Sequence, residues 1–325
     1  MQEDSLNGPP TTGPYRRHLR GSKRFPICGR SFDPGAAWRH PIAWAHDGTL
    51  LPGWIWQNPG VRSSEIAGIA EAQRVTRAVI HDVAETVAAG DTERAVAQRL
   101  EAGFARAGVR VWFHTPYAWF GERTRFAGFH HWEPDALPGE RRLAEGEMFI
   151  LDAAPFVDGH PADYAYSAAL GPSAEHLEMR RALEALKSRI VELSRTATTG
   201  AELFEATGAA VREGGFEVVH HLYPAAVLGH RFDGLPRWLG RLPRIGWGFQ
   251  PPLVAGYALA LFRHALTGTR YPFINDVARE RPQGVFAIEP HLARRDCGAK
   301  FESILVVDGD ETRWLDPGLF GDVDG

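Results

Sequence analysis

Glu145-Gly146-Glu147-Met148-Phe149-Ile150-Leu151-Asp152 decides how the chain is read: a glycine turn leads into an apolar run that ends in a carboxylate. A short apolar run bounded by turn residues marks a strand buried on both faces. Ala162-Asp163-Tyr164-Ala165-Tyr166-Ser167-Ala168-Ala169-Leu170-Gly171 reads as a second strand, with small and aromatic residues alternating, and Phe156-Val157-Asp158-Gly159-His160-Pro161 as the hairpin loop between the two. The pattern returns near the end of the chain. Gly284-Val285-Phe286-Ala287-Ile288-Glu289-Pro290 and Ala299-Lys300-Phe301-Glu302-Ser303-Ile304-Leu305-Val306-Val307 are each an apolar strand with a carboxylate inside it.

An ionised carboxylate is costly to bury unless it is paired or ligated to a cation. Asp152, Asp163, Glu289 and Glu302 therefore require positive charge, which Arg and Lys partners or metal ions can supply. Leu228-Gly229-His230 adds an imidazole. Four carboxylates and one imidazole form a hard, oxygen-rich set suited to two divalent ions such as Mn, Fe, Co or Zn.

Outside this segment the chain is helical, twice over. Ile66, Ile69, Thr76, Val79, Ile80, Val83 and Val87 recur at helical spacing from Ser63, which predicts a long amphipathic helix ending at Gly90. Asp91 is placed to cap a second helix through Val96, Leu100 and Phe104 to Gly108, and Val109 to Phe113 reads as a strand. Ser173 opens the same plan again, with Met179, Ala182, Leu183, Leu186, Ile190 and Leu193 on one face. A capping box, Thr199-Gly200-Ala201-Glu202, starts the next helix, which runs to Gly214-Gly215 before a strand from Phe216 to Val219. Ser63 and Ser173 are 110 residues apart, as are Gly90 and Gly200, and this matched spacing points to an internal duplication.

Composition narrows the function. The chain has 325 residues, 44% hydrophobic and 23% charged, with a formal charge of −4, enough for one large or two ordinary domains with a buried core. The near-neutral balance argues against a broad phosphate-binding surface, so no nucleic-acid partner is expected. Cys28 and Cys297 cannot build a disulfide scaffold or a thiolate zinc cluster. There is no basic and apolar leader at the start, and the longest apolar run, Leu253 to Phe262, is too short for a membrane span, so a cytoplasmic protein is expected. Residues 1–60 are rich in Pro, Gly and Trp and read as an irregular arm, and 319–325 as a tail.

The order and context of Ile150-Leu151-Asp152, Asp163, Gly229-His230, Ile288-Glu289-Pro290 and Phe301-Glu302-Ser303-Ile304-Leu305-Val306-Val307 resemble the methionine aminopeptidase, aminopeptidase P and creatinase superfamily, over about residues 61–318. The resemblance implies an α+β pita-bread fold, two pseudo-symmetric α/β halves around a curved, mainly antiparallel sheet. It implies that Asp152, Asp163, His230, Glu289 and Glu302 ligate two divalent metal ions bridged by Asp163 and Glu302. A bridging water would then attack an amide carbonyl of a short peptide while Glu289 shuttles the proton. It also places His114 and His131 in the catalytic pocket, and a homodimer is the expected assembly.

Several residues depart from that pattern. Arg231-Phe232-Asp233-Gly234 follows His230 where peptidase members read Gly-Ile-Gly, and Trp238 stands where a substrate-contacting histidine is expected. Residues 231–283 form a long aromatic, proline-rich insert, which reads equally as a wall of the substrate pocket or as a dimerisation surface. His220 and His221 precede His230 on a strand-like segment and are candidate substrate contacts. Two functions stay open: a metallopeptidase acting as an aminopeptidase on short peptides, and a pita-bread metalloenzyme performing hydrolase, lyase or iron-dependent oxidative chemistry on a small metabolite. The intact ligand set argues against a binding module that has lost catalysis.

Overall fold

Two helical hairpins of matching dimensions carry the two halves of the chain. In the computed structural model, which describes residues 62–129, 132–268, 270–309 and 311–316, α1 (Ser63–Ala84) and α2 (Glu93–Arg106) have 22 and 14 residues. Their counterparts α4 (Ala174–Thr196) and α5 (Gly200–Glu213) have 23 and 14. The expected arm over 1–60 and tail over 319–325 lie outside the described residues, as do Cys28 and His131.

The duplicated plan holds, with local corrections. α1 stops at Ala84, short of Gly90, because the chain leaves the helix so that Gly90 N can donate to Leu143 O at 2.8 Å. The cap of α2 is Thr92, whose hydroxyl accepts from Ala95 N at 3.1 Å; the expected cap, Asp91, instead accepts from Ala88 N and pairs with Arg99. In the second half Thr199 caps α5 through Glu202 N at 3.0 Å, while the Glu202 carboxylate reaches back to Thr198 N at 2.7 Å.

The strands of the first half are β1 (Val111–Phe120), β2 (Met148–Val157), β3 (His160–Pro161) and β4 (Tyr164–Ala169), with a one-turn helix α3 (Trp132–Asp135) between β1 and β2. β2 is central, antiparallel to β1 on one side and to β4 on the other. The β2–β3 turn is made by Asp158 and Gly159 at positive φ (49° and 78°), the geometry a two-residue hairpin needs.

The second half contributes β5 (Glu217–Val218), β6 (Gly229–Arg231), α6 (Pro251–Thr267), β7 (Phe273–Ile274), β8 (Gly284–Ile288), β9 (His291–Arg294), β10 (Cys297–Lys300), β11 (Ser303–Asp308) and β12 (Glu311–Trp314). An antiparallel sheet runs β12-β11-β8-β6-β7, and a smaller one runs β10-β9-β5. Each half has its own apolar core, and a third cluster draws on both, packing Phe113 and Phe156 with Phe232, Val285 and Ile304. Among the described residues no helix is long and apolar enough to cross a membrane.

Only Asp152 lies inside a strand. Asp163 precedes β4, Glu289 follows β8, and Glu302 sits between β10 and β11. The reading of a carboxylate inside each of these strands is thus corrected. Leaving the ladder frees a residue from the strict alternation of faces, so these side chains can converge where the sheets meet.

Candidate metal centre

The convergence begins with backbone anchoring. Gln73 of α1 clamps Asp163 by accepting from its N–H at 3.0 Å and donating to its carbonyl at 2.7 Å. Gly229 lets β6 lie tight against β8, since a Cβ there would meet Ala287 O at 2.5 Å, and so brings in the next residue, His230. His230 Nε2 stands 2.9 Å from Asp163 Oδ2 and 3.7 Å from Glu289 Oε1. Its other nitrogen meets the Tyr257 hydroxyl of α6 at 2.6 Å, and that hydroxyl also lies 3.3 Å from Arg231 O.

His114 joins the group from β1, whose register shifts on both sides of it. Such an irregularity re-aims a side chain out of the ladder. His114 Nδ1 donates to Thr115 O at 3.0 Å, which leaves the lone pair on Nε2, 3.5 Å from Asp152 Oδ1 and 4.0 Å from Asp163 Oδ1. Burial lowers the pKa of both His114 and His230, favouring the neutral imidazole that ligates metals.

Lys300, at the end of β10, enters the same cluster. Its ammonium donates to Asp152 Oδ2 at 2.8 Å and closely to Glu302 Oε1, and lies 3.7 Å from Glu289 Oε2. The rings of Tyr223 and Trp119 flank it at 5.0 and 5.8 Å, and the residue is 1% exposed. Burial opposes its charge, but the carboxylates of Asp152 and Glu302 outweigh that and raise its pKa well above the ordinary lysine value.

The carboxylates remain short of positive charge. Burial raises the Asp163 and Glu302 carboxyls well above the usual range and lifts Glu289 to about 8. Asp152 Oδ1, Asp163 Oδ1 and Glu302 Oε2 are buried without a hydrogen-bond partner. Asp163 and Glu302 stand carboxyl to carboxyl, an arrangement that needs a shared proton or a cation. His114, Asp152 and Asp163 offer one ligand atom each within 4.8 Å of one another. Hard oxygen donors with an imidazole fit a divalent metal ion.

The model of metallopeptidase family M24 matches residues 67–309. The chain belongs to this family. Solved structures similar to it include the X-Pro aminopeptidase from Thermotoga maritima MSB8 (TM-score 0.57, 18% identity, covering 81% of this chain and 65% of that one). The prolidase from Pyrococcus furiosus is also similar (0.56, 17%, 78% and 64%), as is aminopeptidase P from E. coli (0.54, 15%, 79% and 56%). At these identities the likeness is one of fold, the α+β pita-bread arrangement. The chain spans less than two thirds of the length of each of these structures. No curated protein sequence matches it.

Within this M24 chain, Asp152, Asp163, His230, Glu289, Glu302 and His114 come together. His220 and His221 do not join them. Their rings pack on Phe204 of α5 at 5.7 and 4.5 Å, and His220 Nδ1 accepts from His291 N at 3.4 Å. The 3-10 geometry at His220–Leu222 ends the strand early and turns both rings onto that helix. Trp238 lies on a 3-10 turn, 49% exposed, and the side chain bonded to His230 is Tyr257. The Arg231-Phe232-Asp233 departure is structural: Asp233 Oδ1 accepts from Arg231 Nη1 at 3.0 Å and from Val285 N at 2.8 Å, stapling β6 to β8.

Sequence reading missed Lys300 and Tyr257. Lys300 had a signal, since it stands two residues before Glu302 in a segment that reads as one strand, where such residues share a face. Tyr257 had none beyond its place in an aromatic insert.

Proposed function

We propose that the chain is a metal-dependent hydrolase acting on an amide of a short peptide, with Asp152, Asp163, His230, Glu289 and Glu302 as its metal-binding set and His114 beside them. The observation that carries this reading is the group of three buried carboxylate oxygens without hydrogen-bond partners, two of which face the His114 imidazole. A divalent ion held there, Mn, Fe, Co or Zn, supplies Lewis acidity toward a carbonyl and toward water. Glu289 is suited to general acid–base work, because burial brings its carboxyl to about 8 and its oxygens stand no closer than 3.7 Å to His230 and Lys300. Tyr257 orients His230, and Gln73 holds the Asp163 backbone in place.

Similarity in fold to an X-Pro aminopeptidase and to prolidases supports Xaa-Pro peptides as the first substrates to test. The reading includes a cytoplasmic location and a homodimer, the latter supported by a stripe of exposed apolar side chains on α6: Val254, Leu261, Phe262 and Leu266. A panel of Xaa-Pro and Met-Xaa peptides with each of the four metals tests the activity. Turnover is expected in the wild type, and loss of both bound metal and turnover in Asp163→Ala. A metal-loaded protein that cleaves none of them supports the second reading, chemistry on a small metabolite. That reading is favoured by the insert, whose α6 brings Tyr257 against His230.

A further inference from the structure

Lys300 and the unpartnered carboxylate oxygens divide the centre into two cation positions, and the chain itself fills one of them. Asp152 gives Oδ2 to the Lys300 ammonium and keeps Oδ1 without a partner. Glu302 gives Oε1 to the same ammonium and turns its carboxyl to that of Asp163. Asp152 is therefore half committed to an internal cation and half open. The open Asp152 oxygen and Asp163 Oδ1 lie on the side of His114, whose Nε2 faces them at 3.5 and 4.0 Å. Ligand atoms this close can share a single ion with bonds of about 2.1 Å.

A second ion taking the Asp152 Oδ2 and Glu302 Oε1 corner would have to expel the ammonium. Lys300 has little room to leave, being 1% exposed between the Tyr223 and Trp119 rings. An expelled but still buried ammonium loses its carboxylate partners, which is strongly unfavourable.

We propose that the centre binds one divalent metal ion per chain, through His114, Asp152 and Asp163, and that the Lys300 ammonium permanently occupies the place of a second ion. This rests on the metal-dependent reading above and revises the two ions that the resemblance implies: Asp152 bridges a metal and an ammonium, and Glu302 holds the ammonium in place of a metal. Lys300 is a positioning residue that sets the stoichiometry, His114 becomes a ligand, and His230, on Asp163 Oδ2, and Glu289 and Glu302, beside the ammonium, pass from ligands to positioning groups.

The test is metal content and spectroscopy on the full chain. Protein saturated with Mn(II) and freed of excess is to be analysed for metal per chain and by electron paramagnetic resonance. The wild type is expected to hold one ion per chain with the signal of isolated Mn(II). Lys300→Gln is expected to rise to two ions with a spin-coupled signal, Lys300→Arg to stay at one, and His114→Ala to lose at least tenfold in affinity. Two coupled ions in the wild type would overturn the proposal while leaving the metal-dependent reading intact, and an unchanged count of one in folded Lys300→Gln would do the same. No bound ion in the wild type would overturn the metal-dependent reading itself. Should Lys300→Gln not fold, the wild-type count and its spectrum still decide.

Discussion

His114 faces the carboxylates because β1 breaks register around it, and its Nδ1 bond to Thr115 O leaves the other nitrogen as the free lone pair. Tyr257 does the equivalent for His230: its hydroxyl can donate to Arg231 O while accepting from His230 Nδ1, leaving Nε2 to hold the Asp163 carboxyl at 2.9 Å. Tyr257→Phe is expected to weaken metal affinity about 10-fold, the usual cost of removing such a partner, as read by competition with a chromogenic chelator. Unchanged affinity would remove Tyr257 from the centre. Gly229→Ala should be worse than its small size suggests, because the added methyl meets Ala287 O and Ile288 Cδ1 and must push His230 away from Asp163. Circular dichroism near the wild-type spectrum together with lost metal binding would mark that displacement.

At the scale of elements, the clamp on α2 matters most. Glu93, fully buried, accepts from Phe120 N at 3.1 Å, Gly139 N at 3.0 Å and Arg123 Nε at 2.8 Å, tying the start of α2 to the end of β1 and to the loop before β2. Glu93→Ala strands the Arg123 guanidinium and two amides, and is expected to cost about 3–5 kcal/mol in urea unfolding. A loss below about 1 kcal/mol would mean that the pair behaves like a surface ion pair. The insert belongs to this scale too. Gly248 and Gln250 dock on β1, through Thr115 N to Gly248 O at 3.1 Å and Gln250 N to Phe113 O at 2.8 Å. α6 then turns Tyr257 inward and leaves its apolar stripe outward, so the two readings of the insert, pocket wall and association surface, fall on opposite faces of one helix. Replacing Leu261 and Phe262 together with Gln is expected to shift the chain toward monomer in sedimentation velocity with little loss of metal, and an unchanged assembly would clear α6 of that role.

Across the whole molecule, buried histidines tie stability to pH. Burial lowers the His220 pKa to about 3, below the ordinary 6.5, so the unfolded chain binds the proton more readily between these values. Stability is therefore full above about pH 6.5 and falls as pH drops toward 3, by about 2 kcal/mol between 6.5 and 5 from this residue. His220→Asn should flatten that slope when urea midpoints are compared at pH 7 and pH 5; an equal slope would show that other groups set it. Much of the architecture was legible beforehand because its signals are local: helical periodicity, the Ser173 and Thr199 caps and the Asp158-Gly159 turn each depend on residues within a few positions. The carboxylates were legible because charge inside apolar runs is conspicuous, whereas the true cap at Thr92 and the rings of His220 and His221 were set by packing. What the sequence determined by itself is thus the doubled helix-helix-strand plan and the demand of four carboxylates for positive charge. Which cation answers that demand was decided only in three dimensions, where Lys300 meets Asp152 across 148 residues of chain. No local pattern encodes such a contact, because two distant side chains share one buried place only after the sheets of both halves have packed together.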